Sequence, residues 1–333
     1  MNDVLEPLGI LHGAAAREAV ASGAALPLAG GPSAFMLARR NSVVRPVAAI
    51  PEDWAVQALV TAPSPWAGLN RRPSVMGILN VTPDSFSDGG DTLAVAAAIE
   101  AGHRMIADGA AVLDIGGEST RPGAAPVPPD EEQRRVLPVV SALADLGALI
   151  SIDTRNAATM AAALDAGATI VNDVSALAHD PAAARLVVDR QCPIILMHMR
   201  GTPATMQEHA TYQDVAAEVM SELASRISIA LAAGVARSSI AIDPGIGFAK
   251  TAGQNVEVLQ RLPMLLGLGC HIMAGVSRKS FVGTLGGAAD PKRRMPGSLA
   301  AGLFALAQGA TILRVHDVAP TVQAVHVWYE LMG

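Results

Sequence analysis

Polar residues with chemically useful side chains follow eight short apolar runs of this 333-residue sequence. A lone Asp or Asn in such a place is often only the N-cap of the next helix. Eight cases in one chain make that explanation insufficient and favour a shared site that carries carboxylates, amides and cations. In chain order these residues are Asn80, Asp114, Asp153, Asn172, His198, Asp243, Lys279 and Arg314.

The spacing of two cationic residues points to a bound anion. Arg314 and His316 stand two residues apart on one predicted strand, so their side chains share a face. Two donor-rich side chains on one face suit a ligand with negative charge. Alternatively, Arg314 pairs with Asp317, or His316 has a purely structural partner.

The same alternation sorts two further groups of residues. Ser277 and Lys279 share a side, while Arg278 points elsewhere. Only one of Asn172 and Asp173 can face inward, because they are consecutive on a strand.

Metal ligation by histidine or cysteine is not indicated. His198 lies between two methionines, and a structural role is the alternative to a catalytic one. No pair of histidines has the spacing of zinc ligands, and neither do Cys192 and Cys270. We expect these two cysteines to be buried free thiols in a reducing compartment.

The elements that must position these residues alternate regularly from residue 71. Alanine-rich segments with helical periodicity separate the apolar runs, and glycine follows several of them, as in C-terminal caps. Eight strands and eight helices in about 260 residues are typical of an α/β fold, the (β/α)8 TIM barrel, whose active sites lie at the carboxyl ends of the strands. A doubly wound open sheet competes, but the first βα turn lacks a GxGxxG fingerprint.

The bounds of the predicted elements follow from these runs. The predicted strands are Val75–Leu79, Ala111–Ile115, Ala148–Ile152, Thr169–Val171, Ile194–Met197, Ile240–Ile242, His271–Val276 and Thr311–Val315. The predicted helices are Leu93–Ala107, Glu131–Leu146, Ala157–Ala166, Pro181–Asp189, Val215–Ala233, Val256–Leu262, Ser298–Gln308 and Thr321–Leu331.

Residues 1–70 form a separate N-terminal extension of unknown role, and residues 71–333 form the barrel. In the extension we predict a helix at Ala14–Ala21 and a hairpin of Ala34–Arg40 with Val43–Ile50. A second helix starts near Pro51, and Thr61–Trp66 reads as a linker.

Composition excludes several classes of function. The net charge of −6 and the absence of a basic run argue against nucleic-acid binding. There is no secretory signal and no apolar span of transmembrane length, so we expect no membrane association and a cytoplasmic location.

Three loops carry further candidate residues. Val81–Gly90 is polar and glycine-rich, and we predict a mobile lid there. Gly116–Gly123 contains a hydroxyl and a cation but is not a Walker A loop. Asp243–Lys250 has two glycines that let backbone approach a flat ligand, and its Phe248 is one of few aromatics.

These stretches, taken together, resemble the dihydropteroate synthase family over about residues 74–333. The motifs occur in the family's order, each at a predicted strand end. They are GILNVTPDSFSDGG, DIGGESTRPGA, SIDT, IVNDVSA, LMHMRGTPATMQ, IDPGIGFAK, GVSRKSF and ILRVHDV.

The resemblance implies a transferase of folate biosynthesis. It would condense 6-hydroxymethyl-7,8-dihydropterin diphosphate with 4-aminobenzoate, giving 7,8-dihydropteroate and diphosphate, with Mg²⁺ as cofactor and a homodimer as the assembly. The residues implied for the pterin are Asp153, Asn172, Asp243 and Lys279, and Asn80 is implied for Mg²⁺. Those implied for the diphosphate are Thr120, Arg314 and His316, and those for the aminobenzoate are Arg121, Pro122, Phe248, Ser280 and Phe86.

The implied mechanism is dissociative. Diphosphate leaves first, and loop carboxylates such as Asp84 shelter the pterin methylene cation before the amine attacks. The rival hypotheses are a pterin-dependent methyltransferase and a catalytically silent pterin- or protein-binding paralogue. A methyltransferase needs no anion clamp, and a silent paralogue would have lost Asn80, Arg121, Lys279 or His316.

Overall fold

A small antiparallel sheet opens the chain. The computed structural model describes residues 4–69, 73–82, 90–119 and 126–332. Among residues 4–69 the sheet has the order β1-β3-β2, with β4 also paired to β3. The elements are β1 (Leu5–Leu11), α1 (Gly13–Ala21), β2 (Leu26–Pro27), β3 (Ala34–Arg40), β4 (Val43–Pro46) and α2 (Trp54–Val60).

The predicted helix and hairpin of the extension are confirmed. The β3–β4 pairing is antiparallel across the turn at Asn41 and Ser42, both of which have positive φ. Helix α2 begins after Asp53, whose carboxylate accepts hydrogen bonds from the backbone N–H groups of the first turn. Strand β1 has no counterpart among the predicted elements, because a proline and a glycine interrupt its apolar pattern.

Eight parallel strands close into a barrel in the order β10-β11-β12-β5-β6-β7-β8-β9. The predicted (β/α)8 barrel is therefore confirmed, and each predicted strand overlaps an observed one. The strands are β5 (Ser74–Asn80), β6 (Val112–Gly116), β7 (Ile150–Asp153), β8 (Ile170–Asp173), β9 (Ile194–Met197), β10 (Ile240–Asp243), β11 (His271–Ala274) and β12 (Ile312–Val315).

The barrel helices also match their predictions. Helix α9, directly after β11, was not predicted, because it is short and rich in glycine. The helices are α3 (Gly90–Ala107), α4 (Pro129–Ala144), α5 (Ala157–Asp165), α6 (Ala183–Arg190), α7 (Val215–Ala233), α8 (Ala252–Gln260), α9 (Ser280–Gly286), α10 (Met295–Ala307) and α11 (Val318–Met332). Short 3₁₀ helices occupy Val47–Ala49, Met206–His209, Arg237–Ser239, Leu262–Leu268 and Pro291–Arg293. Within the described ranges, no helix combines the length and the apolar character needed to span a bilayer.

One tryptophan packs inside the barrel near the amino ends of the strands. The Trp66 side chain is only 1% exposed, and its indole Nε1 donates to the carbonyl oxygen of Ser239 at 2.9 Å. The predicted linker therefore ends in a core residue. Trp66 belongs to a buried apolar cluster with one residue from each of seven strands. These residues are Met76, Val112, Ile170, Ile195, Ala241, Met273 and Ile312.

The extension is fastened to the barrel by apolar and charged contacts. Its Leu5, Phe35 and Leu59 belong to the same apolar core as the barrel helices. The buried carboxylate of Glu6 accepts hydrogen bonds from Arg39 of β3 and from Arg261 at the end of α8. The predicted boundary at residues 70 and 71 lies outside the described residues. The contacts of the extension are structural ones.

We predict that Trp66→Ala lowers the free energy of unfolding by about 3–5 kcal/mol, because a large cavity opens where the ring filled the barrel end. Urea unfolding measures the change. Trp54→Ala is the matched control, since that side chain is 67% exposed and its loss should cost less than about 0.5 kcal/mol. Equal effects of the two substitutions would contradict the packing role of Trp66.

Candidate active site

Four buried acidic or amide side chains gather at the carboxyl ends of the barrel strands. Asp114, Asp153, Asn172 and Asp243 come from β6, β7, β8 and β10, and none is more than 8% exposed. Parallel strands in a closed barrel bring their carboxyl ends to one mouth. The barrel therefore concentrates three carboxyl groups in a largely dry setting.

Arg314 of β12 is held between two of these carboxylates. Its Nε donates to Asp114 Oδ2 at 2.5 Å, and its Nη2 donates to Asp153 Oδ2 at 2.6 Å. Asn172 Nδ2 donates to the same Asp114 oxygen at 3.0 Å. The guanidinium thus links β12 to β6 and β7.

Burial governs the titration of this cluster. It raises the pKa of Asp153 to about 7, in spite of the attraction of Arg314, and the negative charge of Asp114 adds to the rise. Asp153 therefore changes charge near neutral pH, and its state is sensitive to whatever ligand contacts it.

Two buried carboxylate oxygens in this cluster have no hydrogen-bond donor among the described residues. They are Oδ1 of Asp114 and Oδ1 of Asp153. Buried polar atoms in native proteins nearly always have a partner. The two oxygens are therefore well suited to accept N–H groups of a ligand at the barrel mouth.

Asp243 and Lys279 form the other side of the site. Asp243 Oδ1 accepts from the backbone N–H of Gly245 at 2.7 Å, and burial raises the pKa of Asp243 while the Lys279 ammonium opposes the rise. Lys279 Nζ donates to the carbonyl of Ile246 and lies 4.7 Å from the Phe248 ring centroid. Burial lowers the pKa of Lys279 to about 8, against the effect of Asp243.

Ser277 and Arg278 point to different places as predicted, although they lie in a turn beyond β11, where Arg278 has a φ of 56°, and not on the strand itself. His316 Nδ1 lies 3.1 Å from Ser277 Oγ. Arg278 points away and pairs with Asp317, its Nε at 3.0 Å from Oδ2. The alternative pairing of Arg314 with Asp317 is therefore wrong, since that carboxylate is used by Arg278.

Of the two consecutive strand-end residues on β8, Asn172 faces the cluster. Asp173 instead accepts from the backbone and hydroxyl of Ser175 and from the backbone of Leu177, so it organises the following loop. His198 contacts Glu222 and Lys250 rather than the carboxylate cluster, which agrees with the structural alternative for this residue.

The remaining predicted site residues divide into two groups. Asn80 ends β5 and is half-buried, and Ser280 is exposed at the start of α9. Outside the described residues lie the lid prediction for residues 83–89 and the candidates Asp84, Phe86, Thr120, Arg121 and Pro122.

Sequence reasoning assigned no ligand to Asp114, although it is fully buried at the centre of the cluster. The sequence contains one signal, which is the face of the strand on which Asp114 lies. Asp114 shares one face of β6 with Val112 and Gly116. A carboxylate on an apolar strand needs a partner. Its partner, Arg314, lies 200 residues away in the chain, so no local pattern reveals the pair.

Fold and site define a barrel enzyme whose mouth holds buried carboxylates for a ligand rich in N–H donors. The model of the family described as pterin binding enzyme matches residues 76–316. The chain belongs to this family.

The names of these two relatives share one activity, that of dihydropteroate synthase. The dihydropteroate synthase of Synechocystis sp. is 46% identical over 254 residues, which cover 76% of this chain and 88% of that protein. A protein of Haloferax volcanii, named as a probable bifunctional folylpolyglutamate synthase/dihydropteroate synthase, is 45% identical over 263 residues, and the chain spans only 31% of its length.

Two solved structures of the Xanthomonas albilineans dihydropteroate synthase are similar to the chain. The structure with 4-aminobenzoic acid is 49% identical with a TM-score of 0.74, covering 78% of this chain and 93% of that one. The structure with 7,8-dihydropteroate is 46% identical with a TM-score of 0.73, covering 79% of this chain and 95% of that one.

We predict that Arg314→Met destabilises the fold by about 3–5 kcal/mol at pH 8, because two buried carboxylates lose their cation. The deficit should shrink at pH 5. An unpaired Asp153 has a folded pKa above its unfolded value, so the folded state binds more protons between the two pKa values and stability falls as pH rises.

Urea unfolding of the wild type and of Arg314→Met at both pH values measures this difference. Arg185→Met is the control, since Arg185 forms an exposed pair with Asp189 and its loss should cost less than about 1 kcal/mol at either pH. A deficit of the same size at pH 5 and pH 8 would contradict the buried-pair interpretation.

Proposed function

We propose that the chain is a dihydropteroate synthase, a transferase that joins 6-hydroxymethyl-7,8-dihydropterin diphosphate to 4-aminobenzoate and releases diphosphate. The observation that carries the proposal is the pair of buried oxygens on Asp114 and Asp153 at the barrel mouth, which have no donor within the part of the chain that the structure describes. The names of the relatives favour this synthase over a pterin-dependent methyltransferase.

The pterin ring matches the chemistry of the cluster. Its amino-pyrimidine edge carries several N–H donors, which carboxylates and a carboxamide oxygen can accept. Asp153, Asn172 and Asp243 supply these acceptors, and Lys279 supplies a donor for the ring carbonyl or a ring nitrogen. Since the acceptors are buried, the match also excludes ligands that lack donors, which would leave charges unpaired.

The diphosphate is assigned to Arg314 and His316, together with Thr120. Arg314 has a permanent positive charge, and Asp114 and Asp153 hold its guanidinium in place. His316 is positioned by the hydroxyl of Ser277. A preorganised cation of this kind stabilises charge that develops on a departing oxygen.

Mg²⁺ is implied by the family resemblance, and the donor set at β5 suits it. Within the described ranges, no group of three His, Cys, Asp or Glu side chains could hold a metal ion. Mg²⁺ commonly takes one or two protein oxygens together with substrate phosphates and water. Asn80 would supply the protein oxygen, and the ion would add positive charge against the diphosphate.

The proposed reaction is dissociative. The bond between the pterin methylene carbon and the diphosphate oxygen breaks, and its electron pair leaves with the diphosphate, beside Arg314 and His316. The ring delocalises the positive charge of the methylene, which Asp84 and neighbouring loop groups shelter from water. The amine lone pair of 4-aminobenzoate then forms the carbon–nitrogen bond, and the amine loses a proton to solvent.

The aminobenzoate is assigned to the outer part of the site. The residues assigned to it are Phe248 and Ser280, which the structure describes, and Arg121, Pro122 and Phe86, which lie outside the described residues. An aromatic amine is neutral and nucleophilic near pH 7, so no strong general base is required. The chain's task at this end is therefore orientation and exclusion of water.

Two further features belong to the same proposal. A cytoplasmic location is supported by the two buried, unpaired thiols of Cys192 and Cys270. A homodimer is proposed on the family resemblance, and sedimentation of the purified protein tests it.

We predict that Asp243→Asn raises the KM for the pterin diphosphate at least about a hundredfold, because a charged acceptor of ring N–H groups becomes a neutral amide. Asp173→Asn is the control, since Asp173 contacts only its own loop in the described structure. Steady-state formation of dihydropteroate measures both variants. A near wild-type KM in Asp243→Asn would remove Asp243 from the pterin site.

Removal of the metal gives a separate prediction. Product formation in the wild type should require both 4-aminobenzoate and Mg²⁺, and chelation should abolish it. Asn80→Ala should raise the Mg²⁺ concentration for half-maximal rate at least about tenfold, since even outer-shell partners of metals contribute that much. If the Mg²⁺ dependence is unchanged, Asn80 is not a ligand.

A further inference from the structure

Lysine is scarce in this chain, and two of its three lysines are near the site. Among 24 Lys and Arg residues, the lysines are Lys250, Lys279 and Lys292. Lys292 is exposed, and Lys279 already has a role in the proposed function. Lys250, at the end of the loop between β10 and α8, is only 4% exposed and has no role so far.

The ammonium group of Lys250 uses its donors on three acceptors. Its Nζ lies 3.0 Å from His198 Nδ1, 3.1 Å from the Gly245 carbonyl oxygen and 3.1 Å from the Phe248 carbonyl oxygen. An ammonium has three N–H donors, whereas a neutral amine has two. The two carbonyls can only accept, so all three contacts require the protonated form when His198 Nδ1 is also an acceptor.

The loop that Lys250 holds also positions two residues assigned to the pterin. The backbone N–H of Gly245 donates to Asp243 Oδ1. The carbonyl of Ile246 accepts from Lys279 Nζ, and the Phe248 ring lies beside the same ammonium. A shift of this loop would therefore move both charged groups of the site.

Three residues of this loop have a left-handed backbone conformation. Gly245, Gly247 and Ala249 have φ values of 67°, 85° and 48°. That region is disfavoured for a residue with a β-carbon, such as Ala249. A β-carbon at position 245 would lie 1.9 Å from the His198 carbonyl oxygen, so the loop presses directly on the end of β9.

Burial lowers the pKa of Lys250 to about 7, and the nearby carboxylates Asp243 and Glu222 oppose this effect and favour the ammonium. Asp243 and Lys279 face it from the site, and Glu222 and Arg200 lie beyond His198. The Glu222 carboxylate can only accept, so His198 Nε2–H donates to its Oε2 at 3.0 Å, and Nδ1 of the neutral ring is left as the acceptor for Lys250. Burial lowers the pKa of His198, which keeps the imidazole neutral and able to accept.

We infer that Lys250 is a positioning residue, whose ammonium ties the β10–α8 loop to His198 and so holds Asp243 and Lys279 in place for the pterin. The inference rests on the proposed function for the identity of the ligand. The contacts themselves do not depend on that identity, so the two can be tested separately.

Steady-state kinetics of Lys250→Met test the inference, with Lys292→Met as the matched control. The methionine keeps the apolar volume and removes the three hydrogen bonds. The KM for pterin diphosphate should rise at least about tenfold, as expected when hydrogen bonds from a charged group are lost. The control should match the wild type, and kcat at saturating pterin should change much less than KM.

A second readout follows lysine ionisation by NMR of protein labelled at the lysine ε-carbon, which gives three signals. In His198→Phe, which keeps the charge of Lys250 but removes its acceptor, the titration of Lys279 should move to higher pH, since its contact with the Ile246 carbonyl loosens and water enters. Lys292→Met should leave it in place. A role in stability alone would lower the unfolding temperature without moving the Lys279 titration.

A folded Lys250→Met protein with wild-type pterin KM, together with an unchanged Lys279 titration in His198→Phe, would overturn the inference. If instead wild type and Lys292→Met both fail to make dihydropteroate, the proposed function fails, and the NMR readout still decides the role of Lys250. Should Lys250→Met not fold, His198→Phe takes its place. That variant keeps a ring but removes the Nδ1 acceptor, and an unchanged pterin KM in it would equally overturn the inference.

Discussion

The ion pairs of Arg314 with Asp114 and Asp153 are the interaction on which the site depends. They join the last barrel strand to the second and third, across 200 and 161 residues of chain. Buried carboxylates repel each other and resist desolvation, so the cation is what allows them to lie together. The same pairing leaves one oxygen of each carboxylate without a donor among the described residues, so the proposed pterin contacts and the stability of the barrel mouth depend on the same arginine.

The two halves of the mouth are built by different means. On the Asp114 side, side chains from four strands contact one another. On the Asp243 side, backbone groups hold the side chains. The N–H of Gly245 donates to Asp243, and the carbonyl of Ile246 accepts from Lys279. Glycine at position 245 is required there by its positive φ and by the adjacent carbonyl of His198.

Much of this arrangement follows from sequence because the barrel repeats one rule. A polar residue ends each strand or follows it within a few positions, and alternation correctly separated Asn172 from Asp173 on β8. What could not be predicted are contacts between distant segments. The pairs are Asp114 with Arg314, Arg278 with Asp317, and Lys250 with His198. The two members of each pair come together only when the barrel closes, so no local sequence pattern indicates them.

The position of Trp66 constrains the order in which the chain can assemble. The ring belongs to an apolar cluster with residues of seven barrel strands, and its Nε1 donates to the carbonyl oxygen of Ser239, 173 residues further on. Nearby, His271 Nε2 lies 2.8 Å from the carbonyl oxygen of Ser64. A ribosome makes the extension first, yet these partners emerge only with the last third of the protein. Ser64 and Trp66 therefore reach their final places only after the segments that carry Ser239 and His271 have emerged.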